Sequence, residues 1–115
     1  ERGYIMGFRM LPKTIYATSG TGTYTLTDLD DVICYQGSSS MTITLPSAVR
    51  RGQRYEIIKD TTASMQFKGN GRNIKRFGVG NLPNQSITNF VGIIKFRYLQ
   101  TQNVWAMTFE TATGA

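Results

Sequence analysis

Apolar and polar residues alternate along most of this chain with the two-residue period of β-strands. In residues 41–45, the apolar side chains of Met41, Ile43 and Leu45 alternate with two threonines. Such alternation places one set of side chains on the buried face of a sheet. The same pattern, interrupted by turn-forming residues, predicts strands at 4–10, 13–18, 23–27, 32–36, 41–45, 54–57, 64–68, 73–77, 92–100 and 104–110.

The order of these strands predicts the fold class. No segment has a helical period over ten or more residues, and the short strands recur at regular intervals. This is typical of an all-β protein, and we predict an antiparallel, jelly-roll-like β-sandwich over residues 13–115. Residues 1–12 are predicted to be a lead-in strand or a connection to an upstream stalk. Residues 78–86 are predicted to be a loop.

Two hairpins are predicted from neighbouring strands. Residues 41–60, MTITLPSAVRRGQRYEIIKD, read as two strands joined by a loop that contains Arg50 and Arg51 and ends at Arg54. Residues 92–100 and 104–110 form a closing hairpin. Both faces of its first strand carry apolar residues, as do both faces of 4–10, and this surplus predicts a subunit interface. The alternative is a loop that folds over the second face.

The alternation also predicts the core. The residues expected between the sheets are Ile43, Leu45, Tyr55, Ile57, Phe96, Trp105 and Phe109. The one cysteine, Cys34, lies in an apolar run and is predicted to be a small buried hydrophobic residue.

Composition argues against an enzyme. The chain has no histidine, which removes the commonest general base and the commonest zinc ligand. The acidic run of residues 28–31, DLDD, is predicted to be a solvated turn rather than a calcium site. We therefore expect no catalytic residue, no metal and no cofactor. A glycosidase pair drawn from distant acids, such as Asp60 with Glu110, is compatible with the sequence, but no feature of the sequence supports it. No run approaches the roughly 18 apolar residues of a membrane span, so none is expected.

The positive charge is concentrated in one part of the chain. The formal net charge is +6, and residues 50–76 contain eight of the basic residues. A basic β-barrel that binds nucleic acid is therefore one alternative. Against it, alternation in 95–98 places Phe96 and Tyr98 on the face opposite Lys95 and Arg97, so they would not form a shared base-stacking platform.

The loop-rich stretch 69–89 supplies the candidate ligand contacts, because loops on a rigid scaffold often carry binding residues. Arginines there would pair with phosphate or carboxylate groups, and amides with hydroxyl groups. The candidates are Asn70, Arg72, Asn73, Arg76, Asn84 and Gln85. A secondary basic loop is formed by Arg50, Arg51 and Arg54.

Several motifs occur in a recognisable order. They are GFRMLP at 7–12, TYTLTDLDDVICY at 23–35, ITLPSA at 43–48, GQRYEIIKD at 52–60, and the late Trp105. In order and spacing, the chain resembles the small C-terminal β-domains of bacteriophage tail fibres and tailspikes. The stretch 69–90 departs from the pattern.

The resemblance implies a homotrimeric, non-enzymatic distal domain of a virion protein, joined to the upstream part of a longer fibre chain. Its partner would be a host cell-surface polysaccharide or lipopolysaccharide. It would be located in the phage tail and extracellular after release. Two alternatives stay open: a purely structural trimerisation or folding cap, and the nucleic-acid-binding barrel described above.

Overall fold

The computed structural model describes residues 12–111, which form β-strands and their connections without a helix. Nothing among these residues could cross a bilayer as a helix. The strands are β1 (Lys13–Ile15), β2 (Gly22–Thr25), β3 (Val32–Tyr35), β4 (Met41–Thr44), β5 (Arg54–Lys59), β6 (Met65–Lys68), β7 (Ile74–Arg76), β8 (Gly80–Leu82), β9 (Asn84–Ile87), β10 (Gly92–Leu99) and β11 (Val104–Thr111).

The strands form two sheets. The large sheet has the order β1-β3-β5-β10-β11-β7-β8, and the small sheet has the order β9-β6-β4-β2. The first six strands alternate between the sheets, so the chain winds around the core. Neighbours within each sheet in this wound part are parallel, as in the pairs of Ile33 with Ile57 and of Ile43 with Phe67.

The closing hairpin lies in the middle of the large sheet. β10 pairs antiparallel with both β5 and β11, and β11 pairs parallel with β7. Residues 92–111 therefore connect the wound part of the sheet to β7 and β8. The end of the small sheet is formed by β9, which pairs antiparallel with β6.

The prediction of an all-β fold with two sheets is confirmed. The strand directions differ from the predicted antiparallel, jelly-roll-like arrangement, because five of the nine strand pairings in residues 12–111 are parallel. The hairpin predicted for 41–60 is wrong, since β4 lies in the small sheet and β5 in the large sheet. Alternation identifies the buried face of a strand, but it does not identify the neighbouring strand.

Two further sequence predictions concern the loop 78–86 and the segment 1–12. Two strands, β8 and β9, occupy most of the predicted loop 78–86. The predicted strand 4–10 and nearly all of the lead-in segment 1–12, with the motif GFRMLP, lie outside the described residues.

The core lies between the two sheets and agrees closely with the prediction. Six of the seven predicted core residues are buried, and Phe109 is half-buried at the edge of the core. Cys34 differs, because it is half-buried on the outer face of the large sheet. Its register partner on β5 is Ile58, whose own partner on β10 is Ile93, and both isoleucines are half-buried. A row of three apolar side chains thus lies on the outer face, between Thr14 on β1 and Glu110 on β11.

Candidate ligand-binding clefts

Four of the six predicted ligand contacts surround one cleft of about 420 Å³, which we call the first cleft. It lies where the turn 69–73 leaves the small sheet. The residues that line it are Thr44, Lys68, Asn70, Gly71, Arg72, Asn73, Pro83 and Asn84.

The shape of the turn 69–73 depends on glycine and asparagine. A Cβ atom on Gly69 would lie 1.7 Å from the carbonyl oxygen of Arg72, so only glycine fits. Asn70 and Gly71 follow with positive φ angles of 55° and 97°, which these two residue types tolerate best. Asn70 Nδ2 also donates a hydrogen bond of 3.1 Å to the carbonyl oxygen of Leu45. The turn is therefore fixed against the end of β4.

Arg72 is held in place by two hydrogen bonds and an aromatic ring. Its Nε donates to Asn103 Oδ1 at 2.9 Å, and its Nη1 donates to the carbonyl oxygen of Ser47 at 2.7 Å. Its Cζ lies 5.6 Å from the centre of the Tyr98 ring. These contacts fix the charge at the border of the first cleft. They also use part of the donor capacity of the guanidinium group.

Lys68 adds a second positive charge, and the sequence interpretation missed it. In register, Lys68 lies between Thr44 on β4 and Asn84 on β9. Because Phe67 is buried, alternation directs Lys68 to the outer face, where it is exposed. Among the described residues that line the first cleft, none is acidic. The cleft therefore combines two cations with amide and hydroxyl groups.

Arg76 lies in a separate, second cleft of about 460 Å³ at the other end of β9. Its Nη1 donates to the carbonyl oxygen of Ser86 at 3.0 Å, and its Cζ lies 4.9 Å from the centre of the Phe109 ring. Phe90 packs edge-on against Phe109, with ring centres 5.1 Å apart. The lining is completed by Ile87, Thr88 and Asn89.

A buried lysine supports the second cleft from below. Lys59 is 1% exposed, and its Nζ donates to the carbonyl oxygens of Phe90, at 2.8 Å, and of Thr61. Burial lowers the pKa of the Lys59 ammonium group, because desolvation disfavours its charged form. The two hydrogen bonds tie Phe90 to the end of β5. No sequence motif indicated this role.

Gln85 is not available to a ligand, and its prediction as a ligand contact is wrong. Its side chain is 3% exposed, and its Nε2 donates to the carbonyl oxygens of Ile74 and Gly80 at 3.0 and 3.2 Å. It thus joins the edge of the small sheet to that of the large sheet. The sequence interpretation placed Gln85 in a loop, where alternation was not applied.

The secondary basic loop lies against the acidic corner of residues 28–31. Arg50 Nη1 is 3.8 Å from Asp28 Oδ2, and Arg51 Nε donates to Gln100 Oε1 at 2.8 Å. All three arginines border one small depression, which the aspartates of the acidic corner also line. Because its charges face acidic groups, this loop is a weaker candidate for an anionic ligand than the first cleft.

The acidic corner itself is a turn, as predicted, with Asp28 and Leu29 exposed to solvent. Asp30 accepts hydrogen bonds from the hydroxyl of Tyr24 and from the backbone N–H of Thr27, both at 2.9 Å. In the part of the chain that the structure describes, no group of three potential ligands is placed to hold a metal ion.

Comparisons with models of known families and with curated proteins find no match for this chain. The resemblance to tail-fibre and tailspike domains thus depends on the sequence motifs alone and stays a prediction.

Proposed function

We propose that this chain is a non-enzymatic distal domain of a phage tail fibre or tailspike, which attaches the virion to an anionic glycan on the host surface. The observation that carries the proposal is the first cleft. There, Lys68 and Arg72 lie together with three asparagines, and none of the described lining residues is acidic.

The residue types fit an acidic sugar polymer. The Lys68 ammonium group would pair with a carboxylate or phosphate, and the amides of Asn70, Asn73 and Asn84 would exchange hydrogen bonds with sugar hydroxyls. Each charge-assisted contact contributes about 1.5–3 kcal/mol when it is desolvated, and much less at an exposed rim. A homotrimer would present three such clefts, and simultaneous binding would strengthen attachment further.

Burial of Phe96 and Tyr98 argues against base stacking on residues 95–98, although Phe77 is exposed beside Lys75. Phe96 is 1% exposed and Tyr98 is 8% exposed, so neither ring is open to a nucleotide base. Single-stranded nucleic acid is typically bound by stacking on exposed aromatic rings next to basic residues. As the alternation predicted, the rings of Phe96 and Tyr98 lie on the face opposite Lys95 and Arg97.

The proposal is tested with the variant Lys68→Gln on an array of acidic and neutral bacterial surface polysaccharides. We expect binding of an acidic polysaccharide to weaken about tenfold or more, because one charge-assisted contact is lost. Arg97→Gln is the matched control. It removes the same charge from the outer face of the large sheet, where Arg97 is exposed opposite Arg54.

Three outcomes would contradict the proposal: no acidic polysaccharide binds, both variants weaken binding equally, or DNA binds with a steep salt dependence. Thermal unfolding of both variants verifies that each remains folded.

A trimerisation cap is a second candidate function, favoured by the apolar row on the large sheet. Cys34, Ile58 and Ile93 align across three neighbouring strands and are half-buried. A homotrimer that buries this row would dissociate when Ile93 is changed to glutamate. Light scattering on the whole chain at several concentrations measures this, and a monomeric parent protein would contradict it.

A further inference from the structure

The two clefts share one strand. Asn84 lines the first cleft, whereas Ser86 and Thr88 line the second. All three are exposed, while Gln85 and Ile87 between them are buried. At about 3.4 Å per residue, the distance along the chain from Asn84 to Thr88 is roughly 14 Å.

The relative position of the clefts is fixed by a second strand. Asn73, immediately before β7, lines the first cleft, and Arg76, at the end of β7, lines the second. Gln85 Nε2 bonds to the carbonyl oxygen of Ile74, and Arg76 Nη1 bonds to that of Ser86. These side-chain bonds hold β7 beside β9, so the spacing of the clefts does not depend on a loose loop.

Positive charge lies at both ends of this strand, and neutral polar groups lie between. Lys68 and Arg72 border the first cleft, Arg76 borders the second, and the hydroxyl of Ser86 lies on the outer face between them. A ligand that satisfies both ends must be extended and must carry anionic groups on separate units. One compact anion would reach only one cleft.

We propose that the two clefts are subsites of a single groove along β9, which binds a linear oligosaccharide with carboxylates on more than one sugar unit. This inference rests on the proposed function and specifies its ligand. In the second subsite, Arg76 pairs with a carboxylate, and Thr88 and Asn89 bond to hydroxyls. The ring of Phe90, positioned through Lys59, provides an apolar wall for the C–H face of a sugar.

The test compares a short and a long ligand on the whole chain by titration calorimetry, with the disaccharide and a long oligomer of galacturonate as probes. The long oligomer can occupy both subsites, so its second contact is intramolecular. We expect the long oligomer to bind about 100-fold more tightly than the disaccharide.

The variant Thr88→Glu places a negative charge in the second subsite, in the cleft that Arg76 also lines, without replacing Arg76 itself. We expect it to remove most of the advantage of the long oligomer, because the added carboxylate repels that of the ligand. Thr23→Glu is the matched control. Thr23 is an exposed residue on β2, at the opposite edge of the small sheet, so the control should keep the advantage.

The outcomes separate this inference from the proposed function. If the long oligomer binds no more tightly than the disaccharide, or if Thr88→Glu behaves like Thr23→Glu, the groove is refuted. The first cleft alone would then explain any binding that depends on Lys68. If neither galacturonate nor any acidic polysaccharide on the array binds, both proposals are refuted.

Discussion

Arg72 and Tyr98 donate hydrogen bonds to the same atom, Oδ1 of Asn103, at 2.9 and 2.7 Å. The guanidinium group also lies over the Tyr98 ring. Asn103 belongs to the turn of the closing hairpin and has a φ angle of 56°. The border of the first cleft is thus joined to the turn between β10 and β11, and Arg72 has a structural role besides any role in binding.

Replacing Arg72 with lysine tests this structural role while it keeps the charge. An ammonium group cannot lie flat on the Tyr98 ring and bond to both Asn103 and Ser47 in the same geometry. We expect the free energy of unfolding to fall by about 1–2 kcal/mol, as measured by urea denaturation. Arg97→Lys, at an exposed position, serves as the control. Equal stability of the two variants would show that the contacts of Arg72 contribute little.

Gly69→Ala tests the turn that forms the first cleft. The added methyl group would collide with the carbonyl oxygen of Arg72, which is backbone and cannot easily move. We expect a loss of about 3 kcal/mol in unfolding free energy. Gly52→Ala is a useful comparison, because Gly52 has a φ angle of 78° but open space around its Cβ position. Its loss should be smaller, about 1–2 kcal/mol, from backbone strain alone.

Trp105→Ala should destabilise the core by about 3–5 kcal/mol. The indole is fully buried, and its ring centre lies 5.8 Å from that of Tyr55 and 5.6 Å from that of Tyr98. Phe109→Ala should have a smaller effect, because Phe109 is only half-buried. Since Trp105 is the single tryptophan of the chain, its fluorescence reports this site alone. Emission typical of water-exposed indole in the folded protein would contradict the prediction.

Alkaline pH should destabilise the fold through Tyr55. Burial raises the pKa of its hydroxyl, and the hydrogen bond from Gln53 Nε2 only partly offsets this effect. The stability that Tyr55 contributes is therefore complete below the pKa of the hydroxyl in the unfolded chain, about 10. It is lost as the pH rises through the higher pKa of the folded state. Burial of Tyr35 acts in the same direction.

Lys59 acts in the opposite direction, because its pKa is lowered by burial. As the pH rises, the folded state loses the ammonium proton of Lys59 before the unfolded state does. Stability therefore rises with pH between the lowered pKa of the folded state and the pKa of the unfolded state, about 10.5. Urea denaturation across alkaline pH should show a rise followed by a fall. The rise should disappear in Lys59→Met and remain in Lys75→Met, which changes a lysine without a buried ammonium group. A curve that falls throughout in the parent protein would contradict the assignment to Lys59.

The sequence predicted the inward faces of the strands well because burial follows a local period of two. Ile43, Tyr55 and Trp105 could be identified as core residues without any knowledge of their neighbours. Strand order could not be identified in the same way. Whether the chain turns back into the same sheet after Leu45 or crosses to the other sheet depends on long-range packing, and alternation is the same in both cases.

Only part of the candidate site was predicted, because a local pattern does not show which segments meet. The turn 69–73 has strong glycine and asparagine signals, and it does border a cleft. Lys68 was missed because it belongs to a strand rather than to the loop that was searched. Gln85 was wrongly included because the short strand β9 follows a proline and has only one apolar residue, Ile87. The second cleft joins 86–90 with Phe109, and no local pattern shows that pairing.

The position of the closing hairpin has a consequence for biosynthesis. Among the described strands, β10 and β11 are the last in chain order, yet they lie between β5 and β7 in the large sheet. During translation, β7 and β8 are therefore made before the strand that connects them to the rest of the sheet. We infer that the wound part can begin to pair cotranslationally, whereas β7 and β8 can join the large sheet only after β11, which pairs with β7, has emerged.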